Sequence, residues 1–131
     1  MAFNLAPMQS RRDIAALGVI HRAILGLGPM QFRNWFQLDT SGRRFSRRLG
    51  RVHARQVVEP LLNREYLHRS IFGYTWVYNL LPEQIVQCSS VKTFQGACQD
   101  LLKHVASSGY QEWSSTFSAR VSRNFSLLRH F

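Results

Sequence analysis

An all-α fold, a small domain of three to five helices with an arginine-rich arm in its middle, follows from three features of this 131-residue chain. Apolar residues recur at three-and-four spacing in two long segments, one near each end. Groups of Gly, Pro and Ser punctuate those segments at helix-like lengths. The stretch GRRFSRRLGRVHAR, Gly42 to Arg55, carries six arginines and no acidic residue. The chain is read as a single domain over 1–131. It holds a first helix at 10–27, a basic arm at 42–56, a helical core at 64–108 and an aromatic, basic tail at 110–131.

The first helix is expected to open at Ser10-Arg11-Arg12-Asp13, an S-x-x-D start with Asp13 in the favourable first turn. Ile14, Leu17, His21, Ile24 and Leu25 then share a stripe, and Val19 and Ile20 lie off it, so cover on more than one side is expected. Gly26, Gly28 and Pro29 stop the helix. His21, in mid-stripe, is read as a packed histidine rather than a ligand or base.

Pro29 can open a short second helix carrying Phe32, Trp35 and Phe36, which the run Asp39–Gly42 breaks. In a helical arm, Arg44, Arg47, Arg48, Arg51 and Arg55 would share one face, with Phe45, Leu49 and Val52 beside it. Two glycines and mutual repulsion weaken that helix, so the arm is expected to order best on a polyanion. The stretch 57–62, interrupted by Pro60, reads as loop or edge strand.

From Arg64 to Leu81 the spacing predicts a helix with Leu67, Ile71, Tyr74, Val77 or Tyr78, and Leu81 inward, and a possible kink at Gly73. Pro82 ends it and starts a single turn through Ile85 and Val86. Ser90 is a plausible cap for the clearest helix, whose stripe is Val91, Phe94, Cys98, Leu101, Leu102 and Val105. The run Ser107–Gly109 closes it. Cys98 belongs to that stripe and is read as a buried small hydrophobe. Tyr110, Trp113, Phe117 and Val121 follow at helix-like spacing, as core cover or as surfaces on which bases could stack.

Charge sets the functional classes. Seventeen Lys+Arg stand against seven Asp+Glu, a formal charge of +10, and fifteen of the seventeen cations are arginine. Arginine offers a planar fork of donors that matches phosphate and stacks on bases, so an anionic partner, nucleic acid above all, is expected; codon bias is the plainer source. No apolar run approaches the roughly 20 residues that span a bilayer, so no transmembrane segment is expected. Two cysteines, Cys88 and Cys98, form no disulfide framework and no zinc pattern, which points to an intracellular, metal-free chain. GxSxG, HExxH and P-loop patterns are absent, the acids are dispersed, and no cofactor or catalytic residue is assigned. The chain is not expected to be an enzyme.

The order of segments adds a resemblance. HRAILGLGP (His21–Pro29) is followed by the arginine stretch, then by RSIFGYTWVYNLLPEQIVQCSSVKTFQGACQDLLK (Arg69–Lys103). This resembles the C-terminal region, beyond the polymerase palm, of non-LTR (LINE-type) retrotransposon reverse-transcriptase polyproteins. Those tails carry a helix like LLxxYKxLxGLxP, a basic stretch, and then RSFxxxxxxxWNxLPxxIxxxxSxxxFKxxLKxxL. Arg69-Ser70, Tyr78-Asn79, Leu81-Pro82, Ile85, Ser90-Val91, Phe94 and Leu101-Leu102-Lys103 fall in register, and the resemblance spans residues 10 to 105. Tyr78 stands where the family usually has tryptophan, with Trp76 two residues earlier. The palm and its [FY]-x-D-D carboxylates, which would hold the metal ions of polymerisation, are missing, so no polymerase residue carries over.

The resemblance implies a fragment or captured domain of an element whose tail handles template RNA and target DNA. The first expectation is therefore a noncatalytic, sequence-tolerant nucleic-acid-binding module. Arg43, Arg44, Arg47, Arg48, Arg51 and Arg55 would contact phosphates, with Arg11, Arg12, Arg120 and Arg123 as supplements. Its partners would be RNA or DNA, RNA being favoured on the resemblance alone, and beyond them a reverse-transcriptase palm or a ribonucleoprotein. Its location would be nuclear or cytoplasmic. A second expectation is a structural subunit of an organellar ribonucleoprotein or membrane complex. The arginines and single acid of the first 38 residues partly fit a mitochondrial transit peptide, although its abundant serine is missing. A third is a retroelement relic with no selected function.

Overall fold

The computed structural model describes residues 7–38, 57, 70–120 and 126–130. These residues are mostly helical and contain no sheet, as an all-α domain requires. The α-helices are α1 (Met8–Ile24), α2 (Met30–Trp35), α3 (Thr75–Asn79), α4 (Glu83–Val86) and α5 (Val91–Ser107). Single 3-10 turns lie at Ile71–Tyr74, Trp113–Ser115 and Leu127–His130. The basic arm at 42–56, the stretch 58–62, the expected helical residues 64–69, and Val121 lie outside the described residues.

The two long helices form because their apolar residues return to one side each turn. In α5, Phe94, Cys98, Leu102 and Val105 are all fully buried. Ser90 is extended, and its hydroxyl accepts the Thr93 N–H at 3.2 Å, as an N-cap should. Gly109, at φ 85°, lets the chain turn away at the other end. Helix α1 ends in a full Schellman motif: the Leu27 N–H reaches the Arg22 carbonyl at 3.1 Å and the Gly26 N–H the Ala23 carbonyl at 3.0 Å. Gly26 supplies the positive φ, 77°, that this geometry needs.

Helix α1 is the hub of the packing. It contacts α2, α3, α5 and the 3-10 turns at Ile71–Tyr74 and Trp113–Ser115. Its start differs from the expected one. The helix begins at Met8 behind Pro7, with the Arg11 N–H on the Pro7 carbonyl at 3.0 Å. Ser10 is therefore inside the helix, where its hydroxyl donates to the Ser114 carbonyl at 3.1 Å. Asp13 turns inward rather than sitting in the first turn. Tertiary partners override the local capping signal here.

The segment after Ser70 also departs from expectation. Ser70 is extended (φ −82°, ψ 177°), so no continuous helix runs through it from Arg64. A 3-10 turn caps on the Ser70 hydroxyl and passes into α3 just beyond Gly73, where a kink was expected. All five residues of α3 are buried, which makes it a helix enclosed on every side rather than an amphipathic one. The described part of the tail, residues 110–120 and 126–130, is likewise turns and not a helix: Phe117 is buried, Trp113 half-buried and Tyr110 exposed. One hydrophobic cluster takes in α1, Phe36, Val57, α3, Leu81, α4, α5, Phe117 and Leu128.

Candidate nucleic-acid interface

The arginine segment is the candidate interface, and its two ends are fixed by what flanks them. The chain passes from α2 to Leu38, then, after residues 39–56, to Val57. Leu38 and Val57 form an isolated antiparallel bridge. The excursion that holds Arg43, Arg44, Arg47, Arg48, Arg51 and Arg55 therefore starts and finishes at one place on the body. Those six side chains, and Arg123, lie outside the described residues.

Val57 is held from the other side by Asn79. The Val57 N–H donates to Asn79 Oδ1 at 2.7 Å, and Asn79 Nδ2 donates to the Val57 carbonyl at 2.8 Å. A side-chain amide thus supplies the donor and acceptor that a neighbouring strand would supply. Both residues are buried, so these backbone groups have no water to fall back on. The Asn-x-Leu-Pro run that carries part of the retroelement resemblance has a structural use in this chain. Asn79 clamps Val57, Leu81 is fully buried, and extended Pro82 precedes α4.

Tyr78, the residue before Asn79, belongs to a second polar pair. His21 is fully buried, stacked on Phe94 with centroids 4.2 Å apart and planes 10° from parallel. Its Nε2 donates to the Cys88 carbonyl at 2.8 Å, since a carbonyl can only accept. In the neutral ring, Nδ1 then accepts from the buried Tyr78 hydroxyl at 3.0 Å. His21 is a satisfied core histidine, as expected. Cys98 is fully buried as well, and burial pushes its thiol up from the ordinary value.

Three of the four supplementary arginines are described. Arg11 and Arg12 are exposed on the first half of α1. Arg120 is exposed too, and close enough for its charge to act on Asp13 and Tyr74. These three share one end of α1. Ten residues further along, about 15 Å at 1.5 Å per residue, an arginine that sequence reasoning passed over lies beside the turn into α2. Arg22 is exposed, and a Cβ placed on Gly28 would lie 3.7 Å from its Cγ and 3.9 Å from the Phe32 ring. Its spacing gives no signal; only the turn after α1 brings it beside α2.

Asp13 is the other group that sequence reasoning left unplaced in the core. Its Oδ1 accepts from the Tyr74 hydroxyl at 2.5 Å and from Gln9 Nε2 at 2.9 Å. Oδ2 is buried with no hydrogen-bond partner among the described residues. Burial raises the carboxyl above its ordinary 3.8, against the opposing pull of Tyr74, Gln9 and Arg120. Burial, and then the carboxylate beside it, push the Tyr74 phenol up, so it remains a donor.

Among the described residues no three His, Cys, Asp or Glu side chains are grouped to hold a metal, and no helix is long and apolar enough to cross a membrane. Comparison with family models, curated proteins and solved structures finds no match to this chain.

Proposed function

We propose that this chain is a noncatalytic, sequence-tolerant nucleic-acid-binding module, with the arginines of residues 42–56 as its phosphate contacts. The observation that carries the reading is the closed base of that segment. Leu38 pairs with Val57, and Asn79 fastens Val57 to α3. A chain of cations anchored at both ends offers many phosphate contacts from one place on a rigid body. It also loses less freedom on binding than an open tail of the same length. The resemblance to the tail of a non-LTR reverse transcriptase supports the same reading and favours RNA. Nothing in the segment supplies a base-edge code, so affinity should depend on salt far more than on sequence.

The organellar alternative faces one demand from the fold. Leu17, Ile20 and His21 of α1 are fully buried, so an imported form has to keep α1.

Fluorescence anisotropy with labelled RNA and duplex DNA across a salt series tests the proposal. The unmodified chain is compared with one carrying alanine at Arg44, Arg47, Arg48, Arg51 and Arg55. Each lost phosphate contact should remove roughly 0.7 to 0.9 from the slope of log affinity against log salt. Equal affinities and slopes for the two chains would refute the arm as a phosphate-binding surface.

A further inference from the structure

We propose that Asp13 and Arg120 form a proton-controlled latch. While Asp13 keeps its proton, Arg120 stays out in solvent; once Asp13 ionises, the Arg120 guanidinium closes on Oδ2. The pH then decides whether this cation is bound to α1 or offered to an external anion. Asp13 is fully buried, yet only half of its carboxyl is used. Oδ1 accepts from the Tyr74 hydroxyl and from Gln9 Nε2, whereas Oδ2 has no hydrogen-bond partner among the described residues. A neutral carboxyl bears that at modest cost. A buried carboxylate does not, because its charge needs a counter-charge and its lone pairs need donors.

A run of short bonds brings Arg120 to that oxygen's side of the body. The Ser10 hydroxyl, one helical turn before Asp13, donates to the Ser114 carbonyl at 3.1 Å. From there the chain doubles back tightly. The Ser118 N–H meets the Ser115 carbonyl at 3.1 Å, and the Arg120 N–H meets the Ser118 hydroxyl at 3.2 Å. Thr116, Phe117 and Ser118 are buried, so this run is fixed against the core. Arg120 is exposed at its end, and its charge acts on both Asp13 and Tyr74. The other groups around Asp13 cannot neutralise it. Gln9 is uncharged, and burial keeps the Tyr74 phenol protonated. Arg11 and Arg12 of the same helix are exposed, and among the described residues no titratable group of α3 or α5, which also pack on α1, acts on Asp13. Glu112, the other carboxylate near Arg120 in sequence, is exposed, and water screens it.

The test uses the full chain, with Arg120→Gln, Asp13→Asn and the double variant beside it. Carbon-detected NMR first locates the pH at which the Asp13 carboxyl ionises in the folded wild-type chain. The Arg120 Nε resonance should move with the same midpoint, and should lose that midpoint in Asp13→Asn. Urea unfolding on either side of the midpoint then measures the coupling. Above it, Arg120→Gln should lower the folding equilibrium constant of the wild-type chain by about five-fold or more, and in the Asp13→Asn background it should change little. Below it, the two substitutions should act independently. A carboxyl that never ionises in the folded chain, an Arg120 resonance indifferent to it, or independent effects above the midpoint would each overturn the latch. A crystal structure grown above the midpoint, with an ordered water on Oδ2 and Arg120 in solvent, would also overturn it and assign that oxygen to buried water.

Discussion

The side-chain amide of Asn79 meets both backbone groups of Val57, accepting at 2.7 Å and donating at 2.8 Å, 22 residues away along the chain. Removing that amide leaves a buried N–H and a buried carbonyl without their partner, at about 1–3 kcal/mol each. Some of this is recovered if Val57 moves out to water. Asn79→Ala should therefore destabilise the fold by about 2–4 kcal/mol, read as a lower urea midpoint. It should also speed hydrogen exchange at the Val57 amide more than at amides of α5. A loss below about 0.5 kcal/mol, within the range of ordinary surface changes, would show that the clamp is not holding the segment.

The His21 ring joins three elements, through Phe94 of α5, Tyr78 of α3 and the Cys88 carbonyl beyond α4. His21→Leu keeps the bulk but removes the bonds to the carbonyl and the hydroxyl, and should cost about 2–4 kcal/mol. Tyr78→Phe removes only the hydroxyl and its bond to the imidazole, for about 1–2 kcal/mol. Because the two residues touch, the double variant should cost less than the sum of the singles. Additive thermal-denaturation losses would mean that the pair is not coupled.

Helix α5 could be read from sequence almost residue by residue, because Ser90, the apolar stripe and Gly109 all act locally and agree. The stop of α1 was legible for the same reason. Its start was not, since the Ser10 hydroxyl and the Asp13 carboxylate are claimed by Ser114 and Tyr74, residues far along the chain. Helix α3 defeats periodicity, which presumes an outer face, whereas Trp76 and Asn79 are buried beside Val77 and Tyr78. The arginine segment was conspicuous by composition alone. Its closed base depends on a single bridge and one side-chain amide, and neither leaves a pattern in the sequence.

The two thiols should react at very different rates. Cys98 is fully buried and its thiol is pushed up by burial, so it offers a reagent neither access nor thiolate. Cys88 is half-buried, with its thiol on the Gln84 carbonyl at 3.8 Å. In the native chain a chromogenic disulfide reagent should label Cys88 alone, and Cys98 should follow only in denaturant. Equal labelling of both under native conditions would contradict the packing assigned to α5.

Asp13 should leave a mark on the pH dependence of stability, and its sign follows from the direction of its shift. Below about pH 3.8 the carboxyl is protonated in both folded and unfolded chains and contributes no difference. As pH rises from there, the unfolded chain ionises first while the buried carboxyl of the folded chain keeps its proton. The folded state therefore loses stability until pH passes the raised folded-state value, after which the loss is constant. Asp13→Asn cannot ionise, and its amide oxygen can still accept from Tyr74 and Gln9. The stability of the variant minus that of the wild-type chain should climb from about pH 3.8 and level off once pH has passed the raised folded-state value. Guanidinium or urea unfolding at closely spaced pH values measures this difference directly. A difference that falls as pH rises would mean that Tyr74, Gln9 and Arg120 together favour the carboxylate over the acid, reversing the balance that burial sets.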